Sequence, residues 1–208
     1  MTPNHVVVIL AAGSSRRLGQ PKQLLRRNGE TLLQRAVRCA SATGPALLVL
    51  VLPPTGAAWH ALLEHIDHRP LINPGAGTGM AGSLQLAAPH VDPRAPVLIL
   101  GCDQPALDVP HLQALLAGAR ASVSGCAATL IEGRPSMPAV VPGDWFAALA
   151  MPASEGAGHA AHADQGFRQR LRALPSADLF LLADLDLALD IDTLADLQRA
   201  QECGLLDS

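Results

Sequence analysis

His5-Val-Val-Val-Ile-Leu-Ala-Ala-Gly13-Ser-Ser-Arg-Arg-Leu-Gly19-Gln-Pro-Lys22 is the stretch from which the rest of the chain is read. Its apolar run, Val6 to Leu10, is short, β-branched and followed by small residues, which is the pattern of a buried strand. A loop of Ala, Gly and Ser follows, then Arg16, Arg17, Gly19 and Lys22. Glycines at 13 and 19 let backbone N–H groups approach a ligand closely. Free N–H groups in such a loop suit an anion, and Arg17 and Lys22 add positive charge. The expected chemistry is polyphosphate binding at the carboxyl end of a first strand.

The spacing narrows the choice. A Walker loop requires Gly, four residues, then Gly-Lys-Ser/Thr, and a dinucleotide loop requires Gly-x-Gly-x-x-Gly directly after the strand; neither is present here. What is present is Leu10-Ala11-Ala12-Gly13-Ser14-Ser15-Arg16-Arg17-Leu18-Gly19, with Lys22 three residues on. This resembles the signature of the MobA-like nucleotidyltransferases. Its Ala-Ala-Gly form is most similar to the molybdenum cofactor cytidylyltransferases, whereas the guanylyltransferases typically carry Ala-Gly-Gly.

The chain has 208 residues, 49% hydrophobic and 16% charged, enough for one domain with a substantial core and unlike a disordered chain. The net charge of -3 argues against a general nucleic-acid binder. Its distribution says more. No acid precedes Glu30, while Arg16, Arg17, Lys22, Arg26 and Arg27 fall within twelve residues, and six aspartates lie from Asp178 to Asp196. One end is basic, for phosphates; the other offers carboxylates, for a metal. Cys39, Cys102, Cys126 and Cys203 have no zinc spacing, no signal-peptide pattern precedes the first strand, and no apolar run is long enough to cross a bilayer. The expectation is a soluble cytoplasmic protein with reduced thiols. With no Tyr and 2% aromatics, base recognition falls to backbone and small polar groups rather than a stacking platform.

Further along, Asn28-Gly29 signals a turn, and a helix is expected from near Glu30, with Leu32, Leu33, Ala36, Val37 and Ala40 at helical spacing. Strands are expected at 46–52, 70–73, 96–101, 126–131, 138–141 and 178–182, and helices at 57–66, 109–118, 144–151, 167–173 and from Thr193 to about Cys203. The helix at 57–66 would turn Trp59, Leu62, Leu63 and Ile66 to one side. Asp108 would cap one helix, and Thr193 or Asp192 the last. Alternation of strand and helix predicts a single α/β/α domain around a mixed, mostly parallel sheet.

Asp103 follows the strand 96–101, in the ligand crevice of an open α/β sheet, and its short, hard carboxylate suits Mg²⁺ on a triphosphate. Gly77, Gly79 and Gly82 match Gly-x-Gly-x-x-Gly, and Asp103 lies 21 residues beyond Gly82, so a nicotinamide cofactor bound at Gly77–Gly82 in an NAD(P)-dependent oxidoreductase is a competing reading. The bland reading of the same stretch is a flexible loop with Ser83 as the N-cap of the next helix. Residues 152–166 are rich in Ala, Gly and His and read as a mobile loop over the cleft; His159 and His162 are three apart but have no third ligand beside them.

The resemblance orders these features. It covers 10–22, 79–84, 103–105 and 190–197, nearly the whole chain. It implies a Rossmann-like nucleotidyltransferase domain over 1–208, with a nucleotide-binding half to about 123 and an acceptor-binding half from about 124. It implies transfer of a nucleotidyl group, CMP from CTP, to the terminal phosphate of molybdenum-bearing molybdopterin, with release of pyrophosphate. Leu10, Ala11, Ala12, Gly13, Ser14, Ser15, Arg17, Lys22, Gly79 and Ser83 would bind the nucleotide, with Lys22, Arg17 and Asp103 at the reacting groups. Asp103 and either Asp192 or Asp190 would hold Mg²⁺, with Asp192 favoured because it precedes the Thr that begins the helix. Gly166 and Arg168, in Asp164-Gln-Gly-Phe-Arg168, would face the acceptor. A molybdenum hydroxylase would be the client, and neither nucleic acid nor membrane a partner. GTP or another phosphate acceptor, and a non-catalytic carrier of the cofactor, are the alternatives within this resemblance.

Overall fold

A computed structural model describes residues 5–63, 65–75, 79–150 and 163–208. The strands are β1 (Val6–Leu10), β2 (Arg26–Arg27), β3 (Glu30–Thr31), β4 (Leu47–Leu52), β5 (Arg69–Ile72), β6 (Pro96–Gly101), β7 (Cys126–Ile131), β8 (Arg134–Pro142) and β9 (Leu179–Ala183). The α-helices are α1 (Leu32–Ser41), α2 (Met80–Ala87), α3 (Val109–Ala121), α4 (Asp144–Ala150), α5 (Ala163–Ala173) and α6 (Leu194–Glu202). Seven strands form one sheet in the order β5-β4-β1-β6-β8-β7-β9, and β8 alone runs against the others. The fold is the expected three-layer α/β/α domain with a mixed, mostly parallel sheet.

The central position of β1 follows from its sequence. Every second residue faces one side of a strand, and here both sides are apolar. Val7 and Ile9 pack with Leu33, Ala36 and Val37 of α1 and Leu112 and Leu115 of α3. Val6 and Val8 pack on the opposite layer, with Leu84 of α2, Trp145 and Phe146 of α4 and Phe167 of α5. Such two-sided burial is the habit of parallel strands between helical layers. Flanked by β4 on one side and β6 on the other, β1 sits where the strand order reverses, and the crevice of an open α/β sheet lies at the carboxyl end of that point.

Several boundaries differ from expectation for local reasons. Asn28 and Gly29 have φ of 54° and 79°, the two-residue turn that joins a tight hairpin, so β2 and β3 pair and α1 starts at Leu32, not near Glu30. Thr31 and Gln34 close its N-terminus as a capping box. Asp207 clasps this hairpin: its carboxylate accepts from the N–H groups of Asn28 and Gly29 at 2.7 and 2.8 Å. The helix expected at 57–66 is instead a 3-10 segment, Pro54–Leu63. Gly56 weakens a regular α-helix there, and the expected apolar face does not form: Leu63 is buried while Leu62 is 41% exposed. Gly79, not Ser83, is the N-cap residue of α2, and Ser83 lies within the helix. Glu132 and Gly133 form a second tight turn, so β8 begins at Arg134 rather than 138. Gly77 and the His159/His162 pair lie outside the described residues.

Gly118, inside α3, tests how this packing is built. A Cβ there would stand 2.1 Å from the Phe180 ring of β9. Helix propensity alone predicts that Gly118→Ala stabilises by about 1 kcal/mol. Overpacking against the ring predicts a net loss of about 1–3 kcal/mol, and chemical denaturation of the variant is expected to show the loss.

Candidate active site

The loop after β1 is held open by its own backbone and by one buried side chain. Ala11 N–H still donates to Val51 O in the sheet (2.9 Å). Ser15 then takes φ 47°, its carbonyl accepts from Leu18 and Gly19, and its hydroxyl accepts from Lys22 N–H at 3.2 Å. Gln23 is 1% exposed, and its Nε2 donates to the carbonyls of Ala11 (2.7 Å) and Gly13 (2.9 Å). That amide ties down two loop carbonyls, as an anion-binding loop needs. Leu18 anchors the loop's far side in a small apolar cluster with Leu32, Ile191, Ala200 and Leu206.

The same cluster brings in the acidic segment. In Asp190-Ile191-Asp192 the buried Ile191 points into the cluster, and in an extended stretch the residues on either side of it face the opposite way. Ile191 N–H donates to Asp103 O at 2.9 Å. Gln104 Nε2 donates to Leu187 O (2.9 Å) and Met137 O (3.2 Å), joining the end of β6 to this segment and to β8. Gly101 leaves the room in which Asp103 folds back, since a Cβ there would stand 2.4 Å from Asp103 Oδ1.

These constraints converge on Lys22. Its Nζ is 2.6 Å from Asp103 Oδ2 and 2.8 Å from Asp192 Oδ1, while Arg17 Nη2 is 2.7 Å from the other oxygen of Asp192. Burial alone would lower the Lys22 pKa, but the Asp103 and Asp192 carboxylates outweigh it and raise it, so the ammonium stays charged. Hydrogen bonding from Lys22, with Arg17 beside it, holds the Asp192 carboxyl below its ordinary range. Asp190 shifts the other way: lost solvation in the cleft and repulsion by Asp103 and Asp192 raise it, against the pull of Lys22.

Two cavities meet here. One, of about 280 Å³, is lined by Leu10, Ala12, Gly13, Ser14, Gly79 and Ser83 as well as Lys22 and Asp103. The other, of about 390 Å³, is lined by Gln104, Ser136, Arg168, Arg172, Asp190 and Asp192. Met80, Gly101, Asp103 and Met137 border both. The structure thus gathers Leu10, Ala12, Gly13, Ser14, Lys22, Gly79 and Ser83 on one side, with Asp103 at the border. Ala11 is buried behind the loop, and Ser15 braces it. Ser83 is itself buried and accepts from Asn73 Nδ2 at 3.0 Å. Arg168 lies on the second cavity; Gly166 falls within α5, three residues from its start. The Gly79–Gly82 segment opens α2 on the wall of the first cavity.

A divalent cation fits this donor set. Asp103 and Asp192 each turn a hard carboxylate oxygen to Lys22 Nζ, at 2.6 and 2.8 Å, and one or two carboxylates are what Mg²⁺ takes from a protein. Among the described residues no group of three or more His, Cys, Asp or Glu is arranged to hold a metal alone, so substrate oxygens and water have to complete the shell.

Residues 7–173 match the family described as MobA-like NTP transferase domain. The chain belongs to this family. A probable molybdenum cofactor guanylyltransferase of Synechococcus elongatus is 38% identical over 112 residues, covering 53% of this chain and 56% of that protein. The chain therefore spans about half the length of the curated relatives it matches. The solved homologue of Mycobacterium tuberculosis Rv0371c from Mycobacterium sp. strain JC1 is 28% identical, with a TM-score of 0.70 over 96% of each chain. The structure of Rv0371c from Mycobacterium tuberculosis H37Rv in complex with manganese, 24% identical and covering 97% of this chain and 99% of that one, has a TM-score of 0.69 and shares the fold. No helix among the described residues is long and apolar enough to cross a membrane.

Gln23, Gln104, Gly101 and Ile191 escaped the sequence reading of the site, and Arg172 escaped it on the acceptor side. The Asp-Ile-Asp alternation was the available signal for Ile191. Gln23→Leu keeps the volume but leaves the Ala11 and Gly13 carbonyls without their donor. It is expected to cost about 1–3 kcal/mol in denaturant unfolding and to weaken nucleotide affinity, read by calorimetric titration.

Proposed function

We propose that this protein is a metal-dependent nucleotidyltransferase that moves CMP from CTP to the terminal phosphate of a molybdopterin-type acceptor. The supporting observation is the two-chambered cleft, with Asp103 on the border of both chambers and Lys22 bonded to it from the first. In this reading backbone N–H groups of the loop 12–15 hold the triphosphate in the first chamber, and the exposed Arg17 side chain would reach its phosphates from beside that loop. The acceptor lies in the second, where Arg168 and Arg172, four residues apart on α5 and so on one face of the helix, would meet its phosphate. An oxygen of the acceptor phosphate attacks the α-phosphorus, the bond from that phosphorus to the bridging oxygen breaks, and pyrophosphate leaves with the electron pair. No protein nucleophile is needed. The chain supplies position and charge: Lys22, held as an ammonium, balances charge growing on the α-phosphoryl group. Asp103 and Asp192 would hold Mg²⁺, which neutralises phosphate charge when bound. Asp192 suits this better than Asp190, because it shares Lys22 with Asp103.

Ala12 supports the choice of base. It lines the first chamber, and the Ala-Ala-Gly loop to which it belongs resembles that of the cytidylyltransferases. The name of the Synechococcus relative favours a second reading, GTP as donor. Pyrophosphate release with CTP and with GTP, in the presence of Mg²⁺ and acceptor, separates the two. CTP is expected to be used faster, and Ala12→Gly is expected to move the preference toward GTP. Faster release with GTP from the native chain would establish the guanylyl reading, and no release with either would overturn nucleotidyl transfer. Lys22→Ala is expected to lower turnover about 10²-fold or more, the scale of one lost transition-state charge contact; an undiminished rate would remove Lys22 from the mechanism.

A further inference from the structure

The carboxylates suited to a metal are already engaged by the protein's own cations. Lys22 Nζ sits between Asp103 Oδ2 and Asp192 Oδ1, and Arg17 takes Asp192 Oδ2. Lys22 is well enclosed, its side chain 11% exposed. Two positive side chains engage the carboxylates of Asp103 and Asp192, with Asp190 close by, so the pull of those two carboxylates on a further cation is largely offset. A triphosphate in the first chamber changes that balance. Its oxygens compete for Lys22 and Arg17, both of which border the loop expected to cradle it, and drawing them away leaves Asp103 and Asp192 bare and negative.

We infer that Lys22 and Arg17 are a built-in lock on the metal site: they occupy its carboxylates in the free protein and are released by the triphosphate. Cation and nucleotide then bind with positive coupling, and the free chain holds divalent metal poorly. The inference rests on the nucleotidyltransferase reading. It goes further in assigning the same two cations a second role before substrate arrives.

The test is titration of the full chain with Mn²⁺ alone, following unbound Mn²⁺ by electron paramagnetic resonance. Lys22→Met keeps length and apolar stem but loses the charge. It is expected to bind Mn²⁺ at least about tenfold more tightly than the native chain, within the 5–150-fold range usual for coupled sites. Arg17→Gln alters a side chain that is 69% exposed and so puts little packing at risk. It is expected to tighten Mn²⁺ binding in the same direction, by a smaller factor. Adding Asp103→Asn to Lys22→Met should abolish the gain. Equal Mn²⁺ affinity in the native chain and both single variants would overturn the lock, as would a native chain that binds Mn²⁺ more tightly than either. Pyrophosphate release by the native chain with Mg²⁺ and nucleotide, measured in parallel, separates the failures: release with equal Mn²⁺ affinities removes the lock alone, whereas no release removes the nucleotidyltransferase reading.

Discussion

One ammonium group joins three distant parts of this chain. Lys22 comes from the loop after β1, Asp103 from the end of β6, and Asp192 from the segment after β9, yet all three meet within 2.8 Å contacts. Coulomb attraction alone does not place them. The parallel sheet brings the ends of β1 and β6 side by side, and the Leu18–Ile191 apolar cluster brings the third segment to them. Hydrophobic burial thus sets the positions, and charge then fixes the final geometry of groups already neighbours. The order matters energetically, because an exposed ion pair contributes little by itself, whereas one assembled on a rigid frame has little side-chain freedom left to lose.

The identity of the cation carries meaning. Among fifteen Lys and Arg residues, Lys22 is the single lysine. Everywhere else this chain uses guanidinium, a planar fork suited to surface pairing and stacking, as where Arg170 lies over Trp145 at 3.8 Å. At the junction of two carboxylates a compact point charge is needed. An ammonium on a flexible stem serves both partners at once.

Much of the architecture was legible in the sequence because buried parallel strands advertise themselves. Val6–Leu10, Leu47–Leu52 and Pro96–Gly101 are unbroken apolar runs ended by small residues or proline. The loop from Leu10 to Lys22 was legible because its residue types are chemically restrictive. What stayed hidden was whatever depends on partners far away in sequence. Nothing near Gln23 reveals that its amide bonds two loop carbonyls, and nothing near Gly101 shows that Asp103 needs its missing Cβ. In the segment after Pro54, helical spacing of Trp59, Leu62 and Leu63 does not reveal that Leu63 is buried while Leu62 stays exposed. The pairing of Asp192 with Arg17 and Lys22 spans 170 residues or more, a distance at which only the finished fold carries information.

The clasp of Asp207 on the Asn28–Gly29 turn, 179 and 178 residues apart, has a bearing on the order of events in folding. Closing so long a loop is entropically late, and contacts of great sequence separation slow the search for the native state. The hairpin held by that clasp leads directly into α1, and α1 shares an apolar cluster with the phosphate loop and α6. A chain that has formed only its first βαβ units therefore has strands and helices but no competent cleft. The cleft is complete only when the two ends of the chain have met, since Asp192 reaches Lys22 across 170 residues.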